Sequence, residues 1–190
     1  MRFIVVDGLD GSGKDTHAVL IKQRYEKMGE RVVVRSHPES DNFFGRMAKK
    51  ALLGSSKLNK LKAAVFYMFD VLRSVRKFYR RGDIDTLIMV RYLIGTAYLP
   101  GRLAGIGYRF FLGFVPTSSY MFFLDAPPSL LMSRFRDREH REMFENLDDL
   151  IRVREKALGL VQDWYIIDGS GSVDETFSRI ESLLDVLDSK

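Results

Sequence analysis

Cysteine is absent from these 190 residues, which excludes a disulfide framework, a thiolate nucleophile and a cysteine-ligated zinc site. No uncharged apolar stretch approaches the roughly 18 residues a membrane-spanning helix needs. The opening, MRFIVVDGLDG, reaches an acid at Asp7 and lacks a signal peptide's apolar run and small-residue cleavage site, so a cytoplasmic location is expected. Internal repeats, low-complexity tracts and dividing linkers are missing as well. The histidines His17, His37 and His140 are too scattered for a metal site, and nothing supports a Ser-His-Asp arrangement.

What is present is an ordinary globular mix of 46% hydrophobic and 29% charged residues, the size of a single domain spanning 1–190. Thirty Lys and Arg against 25 Asp and Glu leave a net charge of +5, which suits a polyphosphate ligand or nucleic acid but is common among soluble enzymes. Five short apolar runs read as strands: Arg2–Val6, Val32–Val34, Thr86–Val90, Tyr120–Leu124 and Trp164–Ile167. Between them, helices are expected over Thr16–Met28, Phe43–Leu53, Leu58–Arg81, Ser129–Phe135, Leu147–Val161 and Val173–Leu187, with Gly82 stopping the third. Gly95–Val115, rich in glycine and aromatics, has no clear pattern. Almost wholly apolar strands alternating with helices predict an α/β fold, a doubly wound parallel five-stranded sheet covered on both faces.

The chemistry concentrates in Val5-Val6-Asp7-Gly8-Leu9-Asp10-Gly11-Ser12-Gly13-Lys14-Asp15-Thr16. A strand runs into glycines, then a lysine, then a helix. Glycines let backbone N–H groups converge on phosphate oxygens, and the helix N-terminus adds its positive dipole. The pattern G-x-x-x-x-G-K-[ST] is met by Gly8, Gly13 and Lys14, with Lys14 in reach of β- and γ-phosphates. It fails at the last place, where Asp15 stands for the Mg²⁺-binding hydroxyl and Thr16 comes one residue late. A plain chain-reversing turn is the alternative, and the strand before and helix after argue against it. Asp15 is either a hard oxygen ligand for Mg²⁺ or a helix-start acid that repels a triphosphate and impairs the site.

This turn resembles the opening of the thymidylate kinases, nucleoside-monophosphate kinases of the P-loop NTPase fold, which carry G-x-D-G-S-G-K-[ST]-T. More stretches match in order: His37-Pro38-Glu39 with Phe44-Gly45; Val90-Arg91-Tyr92 where the family has D-R-[YFH]; Phe123-Leu124-Asp125-Ala126-Pro127; Arg134 through Glu145; Arg152-Val153-Arg154-Glu155; and the ending around Trp164 to Glu175. The resemblance implies ATP and Mg²⁺ as cofactors, with Gly8, Gly11, Ser12, Gly13, Lys14, Asp15 and Thr16 around the donor phosphates. It implies that Asp10 contacts the deoxyribose 3′-hydroxyl, although an Asx turn would also use an aspartate there. Arg91 matches the family's phosphate-binding arginine. Phe66 and Tyr67, on the helix that covers the base in the family, are substrate-binding candidates, or else core residues of an amphipathic helix.

Departures from the family are specific. Val90 replaces the acid that helps hold the Mg²⁺ shell, and Ser40 replaces an arginine. Asp15 is therefore expected to take over as a Mg²⁺ ligand, unless Val90 is a core residue of a site that no longer does chemistry. An arginine-rich lid is expected at about 134–146, where Arg134, Arg136, Arg138 and Arg141 crowd together, interleaved with Asp137, Glu139 and Glu142. Arg138 is the candidate for stabilising the transferring phosphoryl group, worth on the order of 10³–10⁵ in rate; a solvated charged face is the alternative. The basic run Lys57, Lys60, Lys62, Arg76, Lys77, Arg80 and Arg81 reads as a solvated helix face, and nucleic acid is not expected as a partner.

The function implied is in-line transfer of the ATP γ-phosphoryl group to a pyrimidine deoxynucleotide, dTMP before others. The alternatives are another nucleoside monophosphate, a nucleoside, or nucleotide binding without turnover. The partners expected are nucleotide substrates and, by resemblance, a second copy of the chain in a homodimer. No membrane association is expected.

Overall fold

The structure is a computed structural model and describes residues 1–54, 56–99, 101–136 and 147–190. Five parallel strands, β1 (Arg2–Gly8), β2 (Val32–Ser36), β3 (Thr86–Val90), β4 (Tyr120–Asp125) and β5 (Tyr165–Asp168), form one sheet in the order β2-β3-β1-β4-β5. The central register sets Val6 opposite Val90 on one side and Phe122 on the other. Among the described residues seven α-helices accompany them: α1 (Lys14–Lys27), α2 (Phe43–Leu52), α3 (Lys57–Phe78), α4 (Leu103–Leu112), α5 (Pro128–Arg136), α6 (Leu147–Leu160) and α7 (Val173–Asp188).

Alternation along the strands divides the core in two. Ile4, Val6, Ile88, Val90, Phe122 and Leu124 pack with Ala18, Ile21 and Tyr25 of α1 and Ile180 and Leu184 of α7. Phe3, Val5, Leu87, Met89, Met121 and Phe123 face the other way, onto Val71 of α3, Tyr108 and Phe111 of α4, and Leu150, Val153 and Ala157 of α6. Both faces are covered, as the unbroken apolar strands require.

Most elements fall within two residues of expectation. The unclear stretch resolves into a 3-10 helix over Ile94–Tyr98 and helix α4. Its pattern is weak because Leu103, Ile106 and Phe110 are exposed while Ala104, Tyr108 and Phe111 are buried. Helix α3 ends at Phe78, before Gly82; the left-handed residue beyond it is Arg80, φ +59°. Strands β1 and β2 run two residues past expectation, to Gly8 and Ser36, which brings Ser36 level with Val90 at the carboxyl edge of the sheet. Strand order reverses about β1, so that edge is where an open α/β sheet takes its ligand.

Candidate active site at the carboxyl edge of the sheet

The turn after β1 is built for close approach. A Cβ on Gly8 would lie 2.6 Å from both the Leu124 carbonyl oxygen and Ser12 Oγ, so only glycine fits between β4 and the turn. Gly13, φ +88°, is the N-cap of α1 and turns the loop into the helix in a conformation that side chains resist. Ser12 Oγ is buried without a hydrogen-bond partner, a polar atom that a ligand's oxygen could satisfy.

Lys14 opens α1 and is almost wholly buried. Its Nζ donates to the Leu9 carbonyl at 3.0 Å and to Asp10 Oδ1 at 3.2 Å. Burial pushes the ammonium pKa down, with Arg91 adding to that, while Asp10 holds the charge in place. Burial would raise the Asp10 carboxyl, but Lys14 and Arg91 overcome it and bring the pKa to about 2. Tyr98, on the 3-10 helix, donates its hydroxyl to Asp10 Oδ2 at 3.1 Å.

Arg91 follows β3 with φ +53°. What holds the backbone there is Asp7, at the end of β1. Its Oδ2 accepts the N–H groups of Tyr92, Leu93 and Ile94 at 2.9, 3.0 and 3.0 Å, and Oδ1 accepts Gly8 N–H at 3.0 Å. Burial pushes the Asp7 carboxyl up and these N–H groups pull it back. Tyr67 donates its hydroxyl to the Arg91 carbonyl, pinning the same residue from α3. The guanidinium reaches the phosphate loop: Nη1 donates to Asp15 Oδ1 and Oδ2 at 3.0 and 2.9 Å, and Nη2 lies 3.4 Å from Asp10 Oδ1. Burial disfavours its charge, but the two aspartates raise its pKa above the ordinary arginine value. Asp15 in turn sits below the usual carboxylate range: partial burial opposes this, and Arg91 and the Ser36 hydroxyl outweigh it.

Lys14, Asp10, Asp15, Arg91 and Tyr67 are therefore brought together with Gly8, Gly11, Ser12 and Gly13. Thr16 is exposed on the first turn of α1. Phe66 points elsewhere, packing its ring 6.2 Å from Phe43 of α2. Val90 is fully buried in the core against α1 and α7. Arg134 donates to the carbonyls of Gly11 and Gly169, both at 3.1 Å, tying α5 to the loop. Arg138 lies outside the described residues, as does the rest of the segment expected to form a lid beyond Arg136. Asp7, Ser36 and Tyr98 belong to the site and were not singled out from sequence. An acid ending an apolar strand was the available signal for Asp7.

The donors fit a phosphorylated nucleotide with a hard cation. Lys14, Arg91, loop N–H groups and the orphan Ser12 hydroxyl suit phosphate; Asp15 carboxylate and Ser36 hydroxyl oxygens suit Mg²⁺, which is commonly held by one or two carboxylates plus phosphates and water. Among the described residues no group of three or more His, Asp or Glu side chains could hold a metal alone. None of the described helices is long and apolar enough to cross a membrane.

The chain resembles known proteins along most of its length. The family model described as "Thymidylate kinase" matches residues 6–180. The chain is 26% identical over 205 residues to a probable thymidylate kinase of Thermococcus kodakarensis, covering 97% of this chain and 98% of that one. It is 28% identical over 199 residues to a probable thymidylate kinase of Pyrococcus abyssi, covering 96% and 95%. The solved thymidylate kinase of Candida albicans superposes with a TM-score of 0.76 over 98% of this chain and 92% of that one, at 16% identity, a likeness of fold.

Proposed function

The chain belongs to the thymidylate kinase family, and on that premise we propose that it transfers the γ-phosphoryl group of ATP to dTMP. An oxygen of the acceptor phosphate attacks the γ-phosphorus and the bond to the β–γ bridging oxygen breaks, giving dTDP and ADP. The observation that supports this best is the convergence of Lys14 and Arg91 on Asp10 at the mouth of the glycine turn. Lys14 and the loop N–H groups hold the donor phosphates. Arg91 takes the acceptor phosphate and aligns it with the donor. Asp10, kept ionised and braced by Tyr98, accepts a sugar hydroxyl. Mg²⁺, when bound with ATP, neutralises charge on the phosphate oxygens. Asp15 would be its protein ligand, with the Ser36 hydroxyl orienting the carboxylate. Arginines of the lid, Arg138 among them, stabilise the transferring group and help exclude water.

One fully buried apolar residue favours a second reading. Val90 stands where the family has a metal-side acid, as it would in a protein that binds nucleotide without turnover. Homodimerisation through the exposed apolar side of α3 (Leu61, Val65 and Phe69) and a cytoplasmic location are part of the same proposal. ADP formation from MgATP across a panel of nucleoside monophosphates and nucleosides tests the function. Acceptor-dependent release with dTMP, lost in Lys14→Ala, is the expected result. Silence across the panel in protein that still binds ATP would establish the second reading instead.

A further inference from the structure

Asp15, Arg91 and Ser36 close a ring across the ends of α1, β3 and β2. Arg91 Nη1 donates to both oxygens of Asp15 and, at 3.2 Å, to Ser36 Oγ. Ser36 in turn donates its hydroxyl to Asp15 Oδ1 at 2.6 Å. The Asp15 side chain is 52% exposed, so an arriving cation can approach the pair from solvent. Each side of the pair thereby occupies the group the other needs for substrate. While Nη1 is spent on Asp15 and Ser36, and Nη2 lies 3.4 Å from Asp10, the arginine cannot turn the Nη1 N–H groups to an acceptor phosphate. Nor can the carboxylate ligate a cation while a guanidinium covers both of its oxygens, since a divalent ion and Arg91 at one carboxylate repel each other.

We propose that Asp15 is a positioning residue for Arg91: it holds the arginine back from the acceptor phosphate until a divalent cation arriving with the donor takes the carboxylate. Ser36, which can donate to Asp15 whether or not Arg91 is there, keeps the carboxylate turned toward either partner. The inference rests on the reading of Arg91 as the acceptor-phosphate ligand. Its consequence is that donor and acceptor sites are coupled through one ion pair. By linkage the coupling is reciprocal, and an effect of order 5–150-fold in affinity is expected.

Equilibrium binding tests this without turnover. Calorimetric titration of dTMP into the full chain, with a non-hydrolysable ATP analogue and either Mg²⁺ or EDTA, should give at least fivefold tighter dTMP binding with Mg²⁺. In Asp15→Asn the two affinities should agree within twofold and match the tighter wild-type value, a behaviour that a merely structural role for Asp15 would not produce. The same coupling in Asp15→Asn as in wild type overturns the proposal. A second arm needs no acceptor: Mn²⁺ binding to the analogue complex, read by the electron paramagnetic resonance of free Mn²⁺. Arg91→Gln should tighten Mn²⁺ at least fivefold by releasing the carboxylate; unchanged or weaker binding overturns the proposal. Absence of dTMP binding in every state, beside tighter Mn²⁺ in Arg91→Gln, would overturn the thymidylate reading and support the interlock.

Discussion

An arginine stands between two carboxylates at each end of this sheet, and what surrounds it tells a staple from a site. At the amino edge Arg2 donates to Glu30 at 2.7 and 2.8 Å, to Thr86 at 2.9 Å and to Asp188 at 2.9 Å, with its guanidinium 4.1 Å from the centre of the Tyr25 ring. Those partners come from the end of α1 and the loop after it, the start of β3 and the end of α7, so the network ties distant chain segments together. At the carboxyl edge Arg91 bonds Asp10 and Asp15 beside a turn where a Cβ at Gly8 would clash, a serine hydroxyl lacks a partner, and the arginine's own backbone is left-handed. The close approach at Gly8 and the orphan hydroxyl beside it set the carboxyl edge apart; charge pairing does not, and neither does a left-handed arginine, since Arg80 beside the amino edge has φ +59°. Size is no guide either, because a cleft of about 690 Å³ lined by Arg2, Arg80, Arg81 and Tyr120 among others opens at the amino edge.

Substitution at the two ends should separate the two roles. Lys14→Ala removes the buried ammonium at the carboxyl edge and should lower kcat/KM for phosphoryl transfer by roughly 10³-fold, read by steady-state kinetics with dTMP. Arg2→Ala should do the reverse. Urea unfolding should show a loss of about 1.5–3 kcal/mol, from several charge-assisted bonds and lost packing on Tyr25, with kcat/KM held within twofold. A large activity loss in Arg2→Ala at full stability would erase the distinction.

A smaller effect comes from pH. The folded-state pKa of Asp10 is about 2, below the ordinary 3.8. A depressed carboxylate contributes stability above its unfolded pKa and loses it as pH falls toward the folded one. The contribution is about 2 kcal/mol at neutral pH, with roughly half gone by pH 3. Asp10→Asn should therefore flatten the fall in unfolding free energy between pH 5 and pH 3 relative to wild type. An unaltered acid limb would show that Asp10 is not ionically held by Lys14 and Arg91.

The legible parts of this molecule were local in sequence. Gly8 to Lys14 carries strand, turn, cation and helix start within a dozen residues, so its role could be read from spacing. The apolar strands likewise announced a parallel sheet. Asp7 was not legible, because its function is to accept N–H groups 85 to 87 positions away, and nothing in the sequence of either segment states that they meet. Ser36 and Tyr98 were missed for the same reason, and Tyr98 also sits in the stretch whose exposed leucine and phenylalanine blur the helical pattern. Phe66 and Tyr67 show the limit of reasoning by element. Adjacent on one helix, they point about 100° apart, so one meets α2 and the other Arg91.

On the proposed function, Asp15 serves across the site in place of the acid missing at Val90. The direct test is the rate of dTMP-dependent ADP formation as a function of free Mg²⁺, in wild type and in Asp15→Ala. Asp15→Ala, which leaves no oxygen ligand on that side chain, should need substantially more Mg²⁺ for half-maximal rate. Superimposable Mg²⁺ curves would contradict it.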